Sequence, residues 1–430
     1  MSNKNNILQN KRYFQKQLDN WTNVVSQNLT NLTKPQASVL AMMSLGMIVA
    51  QSCALTSISA MLAIYLKIKN CNVYQRIREW CYDAKDKKGN KQDTKKENKQ
   101  GTQKESKKGL NRTQVDVSEC FEQLIKWIIS LWQSEQLAIA LDATTLGLSF
   151  TALMVSIVYR GCAIPVAWTI TKSNEKRAWN KEWLRMLRLI RHNIPRHFTV
   201  IVMTDRGLYS PRLFKRIVRL KWHPFMRINV NGTFCPEGCG SFKPIGSFAE
   251  QPGTSWQGSG VAFKTKGKRL SCTLLALWEE GQKEAWFIIT DLAPSASSAC
   301  WYGMRAWIEQ SFRVAKRGGW QWHKTRMTDP ERASRLLLAI SVATLWLMSV
   351  GGEVDAEIPD STIPDIRSYL PQTRGKRKAT LTRLVSIFRV GMLVIHSCLI
   401  DHKSLPFGRF FPEHWDDINP YKKMVSGVSV

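Results

Sequence analysis

The chain has 430 residues, of which 44% are apolar, enough for roughly two or three domains with a sizeable core, and its 62 Lys and Arg against 33 Asp and Glu give a formal charge of +29. A positive excess of that size repels itself unless a polyanion neutralises it, so nucleic acid is the first partner to consider and an anionic membrane surface the second. Ten scattered cysteines, with no signal peptide read ahead of them, argue against a secreted disulfide framework and for reduced thiols.

In chain order, the first landmark is QASVLAMMSLGMIVAQSCALTSISAMLAIYLKI, from Gln36 to Ile68. Gln51, Ser52 and Thr56 interrupt its centre, so it is expected as two helices joined by a turn, with Thr56 or Ser57 capping the second, and not as a membrane span. A buried helical hairpin is the plain reading. A helix-turn-helix DNA reader is the alternative, although the second helix offers few base-reading side chains on its exposed face. Residues 1–82 are taken as an α-helical N-terminal DNA-binding module. Next, residues 83–112 hold ten lysines between Lys85 and Lys108 and almost no apolar residue, so they cannot bury a core and read as a disordered linker. Beside a DNA-binding domain such a run adds salt-sensitive phosphate contacts.

From Glu135 the pattern becomes regular. LAIALDATTLG, FTALMVSIVYR and CAIPVAWTITK read as three strands, KRAWNKEWLRMLRLIRHN as a helix, FTVIVMTDRG as a strand, SPRLFKRIVRLK as a helix and PFMRINVN as a strand. Three strands followed by alternating helix and strand is the order of a ribonuclease-H-like mixed α/β sheet, here expected over 113–230 and resuming over 292–351. Asp142 and Asp205 each close an apolar strand. Singly, an acid there caps a turn; on central, adjacent strands, the two carboxylates converge at one edge of the sheet. Residues 231–291 lie between the two parts of that core. Their Cys235 and Cys239, a C-x3-C without a second matching pair, give a weak metal signal and read as loop thiols.

The third acid, Glu309, lies in YGMRAWIEQSFRVAKRGGWQW. At about 100° per residue, Tyr302, Arg305, Glu309 and Lys316 share an arc of roughly 60°, and Trp301, Met304, Ile308 and Phe312 form an adjoining apolar face. An ordinary i, i+4 ion pair between Arg305 and Glu309, worth about 0.2–0.5 kcal/mol, does not account for an acid sharing its face with a tyrosine and two bases suited to phosphate. Beyond, in residues 352–430, an acidic proline-broken stretch leads to a basic cluster and an apolar-periodic helix, RGKRKATLTRLVSIFRVGMLVIH, which reads equally as a packing helix or a dimer contact. The final MVSGVSV reads as a frayed end.

Tyr302, Arg305, Glu309 and Lys316, as Y-x2-R-x3-E-x6-K, together with LDATT around Asp142 and TDRG around Asp205, resemble the insertion-sequence-4 group of DDE transposases. The likeness runs from about Gln136 to Gly351 and implies that residues 231–291 are a β-rich insertion ahead of the glutamate helix. It implies that Asp142, Asp205 and Glu309 hold two Mg²⁺ ions, for which Mn²⁺ can substitute, with Asp142 shared between them. It also implies that Tyr302, Arg305 and Lys316 grip phosphates next to the cut. Trp286, in EAWFIITDL, would stack on a base flipped from the DNA end, against the plain reading of a core tryptophan and with Trp256 and Trp278 as rivals. Trp320 and Trp322 are expected to pack the helix end. The implied function is cut-and-paste transposition, through a hairpin intermediate, on double-stranded DNA carrying terminal inverted repeats and on target DNA. Implied too are a homodimer at synapsis, no membrane, and a cytoplasmic, nucleoid-associated location in a bacterial cell. A catalytically silent DNA-binding regulator and a nuclease that only hydrolyses are the alternatives.

Overall fold

The computed structural model of the chain describes residues 2–82, 114–173, 175, 179–370 and 385–417. The expected lysine-rich linker, the basic cluster ahead of Val385 and the terminal MVSGVSV therefore lie outside the described residues. Four helices come first: α1 (Ser2–Asn28), α2 (Lys34–Ala50), α3 (Leu55–Leu66) and α4 (Asn70–Cys81). The uncharged stretch does break at its centre, where Gln51 adopts the left-handed region at φ 46° and α2 meets α3 at 92°. The cap of α3 is Ala54, however, and not Thr56 or Ser57. A tertiary bond fixes the turn earlier than local capping would: the Cys53 amide donates to the Trp320 carbonyl at 2.7 Å, and the Ala54 amide donates to Ser52 Oγ. Every residue from Leu40 to Val49 is buried, so α2 is a core helix.

After α5 (Val117–Leu131), capped by Asp116, the chain enters the sheet. Strands β1 (Gln136–Leu146), β2 (Phe150–Tyr159) and β3 (Cys162–Lys172) form an antiparallel meander. Arg160 and Gly161, at φ 43° and 82°, make the two-residue turn between β2 and β3, a geometry that requires positive φ at both positions. Pro165 sits in β3 beside a register shift, a place open to proline because β3 is an edge strand. Helix α6 (Trp179–Arg191) returns the chain to β4 (Thr199–Thr204), parallel to β1. Helix α7 (Pro211–Arg219), with Ser210 accepting from the Leu213 amide and proline at its start, leads to β5 (His223–Arg227), parallel to β4. The order β3-β2-β1-β4-β5, with three antiparallel strands and then two parallel ones, is the ribonuclease-H-like core.

Strands β6 (Thr233–Pro236), β7 (Lys243–Pro244), β8 (Thr254–Ala262), β9 (Leu270–Trp278) and β10 (Trp286–Thr290) continue the same sheet to ten strands, because β10 pairs antiparallel with β5. The insertion is thus an extension of the core sheet and delivers the chain back beside β5. A short helix, α8 (Trp307–Arg313), packs on β1, β2 and β3. Then follow α9 (Pro330–Asp355) and α10 (Ile387–Ile400). Helix α9 is long and apolar enough to cross a membrane, but 94% of its most apolar window is buried inside the protein. Helices α2, α4, α5 and α10 all pack on it, and one hydrophobic cluster joins the N-terminal helices, the sheet and the C-terminal helix.

The contact between α9 and α10 is backbone to backbone. A Cβ at Gly391 would stand 2.0 Å from the Leu347 carbonyl oxygen, and one at Gly351 would stand 1.9 Å from that of Ile387. Gly391→Ala is therefore expected to destabilise the fold by about 3 kcal/mol or to prevent folding, since the neighbours are backbone atoms that cannot turn aside. A thermal melt indistinguishable from the parent's would show that the two helices do not touch there.

Candidate active site

Register brings the first two acids together. In the parallel pair of β1 and β4, Leu141 lies opposite Thr204, so Asp142 and Asp205 follow side by side; Asp205 leaves the sheet, whereas Asp142 does not close its strand as expected, because β1 runs on to Leu146 in pairing with β2. Each is oriented by a backbone amide: Asp142 accepts from Ala143 at 2.8 Å, and Asp205 accepts from Arg206 at 2.6 Å. Glu309, on α8, comes over the same strand ends. All three carboxylates meet one guanidinium, with Arg305 Nη2 at 2.6 Å from Asp142 Oδ2 and 3.9 Å from Asp205 Oδ2, and Nη1 at 2.5 Å from Glu309 Oε1.

The single regular helix expected around Glu309 is three kinds of helix in sequence: a 3₁₀ segment (Ala299–Ala306), the α-helical turns of α8, and a π turn (Val314–Gly318). In a 3₁₀ segment residues three apart eclipse, which sets Arg305 directly above Tyr302. The π turn is closed by the Gly319 and Trp320 amides, which both donate to the Val314 carbonyl, and by the His323 ring, which donates to the Lys316 carbonyl at 2.9 Å. These closures, five to seven residues apart, override the 3.6-residue period. The apolar stripe survives the change of pitch: Trp301, Met304, Ile308 and Phe312 are all buried. Trp320 and Trp322 are buried as well, with Trp320 Nε1 donating to Thr344 Oγ1 at 3.0 Å.

The cluster is graded from floor to mouth. The side chains of Arg305 and Asp142 are 13% and 16% exposed, Asp205 40% and Glu309 53%. Burial pushes the Asp142 carboxyl above the usual carboxylate range; the Arg305 charge opposes this, and the charges of Asp205 and Glu309 add to it. Lys316 is half-buried near Asp142; burial lowers its pKa and the Asp142 charge opposes that shift. Tyr302 lies beneath the site. Its hydroxyl donates to the Thr204 carbonyl at 3.2 Å, burial pushes its pKa up, and its ring meets the half-buried Trp286 edge-on at 5.2 Å between centroids. The phosphate contact expected of Tyr302 thus falls to a hydroxyl already engaged by β4. Of the rival tryptophans, Trp256 packs with Phe234 and Phe248, and Trp278 Nε1 donates to the Gln282 carbonyl.

Three further residues reach this edge that sequence spacing does not single out. Glu284, two residues before Trp286, pairs with Arg206 at 3.1 Å and with Arg227 at 2.8 Å. The hydrogen bond from Arg227 is the first cause of its lowered pKa. Arg206 follows Asp205 and Arg227 ends β5, so their positions in TDRG and PFMRINVN are the available signal; their convergence on Glu284 depends on β10 joining β5.

Three carboxylates offer the all-oxygen donor set that hard divalent ions take, and their convergence on one cation fits such a group. With Arg305 standing among them, no three His, Cys, Asp or Glu side chains among the described residues are arranged to hold a metal ion directly. None of the ten cysteines, all of them among the described residues, forms a disulfide, and the Cys235 thiol donates to the Cys239 carbonyl at 2.8 Å.

No curated protein matches the chain. Among solved structures it is similar to a piggyBac transposase, from a cryo-EM structure of its synaptic complex with hairpin DNA, at 8% identity and a TM-score of 0.33. That likeness covers 48% of this chain, which spans only 46% of the piggyBac chain. A family model described as Transposase DDE domain matches residues 133–346. The stretch that carries Asp142, Asp205 and Glu309 is thus the stretch that matches the transposase DDE domain.

Proposed function

We propose that this chain is a DNA strand-transfer enzyme, a cut-and-paste transposase of the insertion-sequence-4 group. The observation that carries the reading is the meeting of Asp142, Asp205 and Glu309 on Arg305, where the parallel pairing of β1 and β4 ends, inside the matched segment.

Asp142, Asp205 and Glu309 would hold two divalent cations, Mg²⁺ or Mn²⁺, whose chemistry when bound is to neutralise the charge on the entering and leaving oxygens of a phosphodiester. No side chain serves as nucleophile. Water adds to phosphorus and a 3′ oxygen leaves; the freed 3′-hydroxyl then attacks a target phosphate, from which another 3′ oxygen departs. Arg305 and Lys316 hold the neighbouring phosphates in line with the acids, and Tyr302 supports Arg305 from below. Trp286 stacks on a base flipped from the DNA end while the freed 3′-hydroxyl attacks the opposite strand, the flanking 3′ oxygen leaves and a hairpin closes that end, to be reopened by water before joining. Residues 1–82 read the terminal inverted repeats, and a homodimer holds the two ends. The site of action is the bacterial nucleoid.

DNA flanking the gene supplies the test substrate, since matching inverted repeats there define the ends. Purified protein with a duplex carrying those ends, a target plasmid and Mg²⁺ or Mn²⁺ is expected to give nicked ends and joined products. Nicks without joining would reduce the chain to a nuclease. Binding with neither product would leave a regulatory DNA-binding protein.

A further inference from the structure

Helices α6 and α7 carry a charge pattern that the acid centre does not use. Between Trp179 and His223 the sequence holds eleven Lys and Arg against two acids, Glu182 and Asp205. Glu182 is paired with Arg185 at 3.1 Å, and Asp205 belongs to the catalytic edge. Lys181 and Arg188 project from the solvent side of α6, Arg212, Lys215 and Arg219 from that of α7, with Lys221 just beyond, and all six are exposed. Among the described residues none of the six enters an ion pair. Their opposite faces are fully committed to the core, through Trp183, Leu187 and Ile190 on α6 and Leu213, Phe214 and Ile217 on α7.

The two basic stripes form one surface. α6 and α7 pack together, and Arg191 Nε donates to the Leu220 carbonyl at 2.7 Å, tying the two C-terminal ends to each other. The surface begins at the acids: α7 starts six residues after Asp205, so Arg212 stands in its first turn beside the catalytic edge. At 1.5 Å per residue Lys215 and Arg219 lie about 5 and 10 Å farther along the helix. A duplex carries one negative charge per about 1.7 Å of its axis, so such a surface meets several phosphates at once. A membrane fits less well, since basic helices that dock on lipid insert an apolar face between their charges, and here those faces are buried.

We propose that the outer faces of α6 and α7 form a sequence-independent docking track for duplex DNA that leads away from the three acids. This deepens the strand-transfer reading, on which it rests for the choice of partner.

The test is the salt dependence of binding to a random-sequence duplex, measured by fluorescence anisotropy with the full chain. A triple neutralisation, R188Q/K215Q/R219Q, is expected to weaken binding at least tenfold near physiological salt. It should also make the slope of log K against log salt shallower by about 2 to 3, near 0.9 for each phosphate no longer neutralised. Each single variant should remove about one third of that change, which keeps the test decisive if the triple variant folds poorly. Asp142→Asn should retain the parent slope, so loss of strand joining and loss of the track are read separately. An unchanged slope in the neutralised variants overturns the proposal. So does binding of these residues to phosphatidylserine vesicles with no change in DNA affinity.

Discussion

Asp142→Asn is expected to lower strand joining by at least about a thousandfold while leaving binding to the element's ends within about twofold. Asparagine keeps the size of the side chain and can still accept from the Ala143 amide, so the local geometry of β1 persists. What disappears is one negative charge from a set of three. If those charges hold the cations that neutralise the entering and leaving oxygens, the loss of several kcal/mol of transition-state stabilisation translates to three or more decades in rate. Stability should move by less than about 1 kcal/mol, because losing the ion pair with Arg305 is offset by relief of repulsion from Asp205 and Glu309. Joined and nicked products are resolved on a denaturing gel in Mg²⁺, and binding is followed by mobility shift. Parent-like joining by this variant would remove Asp142 from the chemistry.

Arg305→Gln should produce the largest metal-dependent change in stability. Among the described residues, this guanidinium alone touches all three carboxylates, and it is nearly buried, as is Asp142. Without it, three like charges crowd one strand edge. Removing one partner of a buried ion pair costs about 3–5 kcal/mol; with Asp205 and Glu309 partly solvated, about 2–3 kcal/mol is expected here. The destabilisation should appear in chelator as a lower melting temperature. Millimolar Mg²⁺ should restore most of it, since a cation that binds the folded state alone stabilises by mass action. The parent should gain less, because Arg305 already occupies ground between the acids. A variant that melts with the parent in chelator and is indifferent to Mg²⁺ would show that the three acids are not a cation site.

The strands and the two aspartates are legible in the sequence because their signals are local. An apolar run specifies a strand, and the meander, crossover and parallel return then place Asp142 and Asp205 in register, although only Asp205 marks a strand's exit, since β2 keeps pairing β1 as far as Leu146. Glu309 is legible through the company it keeps on its helix face. The change from 3₁₀ to α to π pitch is not, since the hydrogen bonds that impose it come from His323, Gly319 and Trp320 and from packing beyond the segment. Local capping rules misplace the start of α3 for the same reason: the amide of Cys53 is bound to a carbonyl far away in sequence, at Trp320. The Arg206, Glu284 and Arg227 cluster draws on three distant strand ends, and only the pairing of β10 with β5 unites them.

Helix α9 works as an axle on which both ends of the chain are mounted. Since α2 and α4 seat on it directly, side-chain packing and not linker length sets how far the N-terminal helices stand from the three acids. Lengthening or shortening the segment between α4 and α5 would leave that distance alone. Whatever those helices grasp is held at a fixed measure from the strand edge, as on a caliper with its jaw locked.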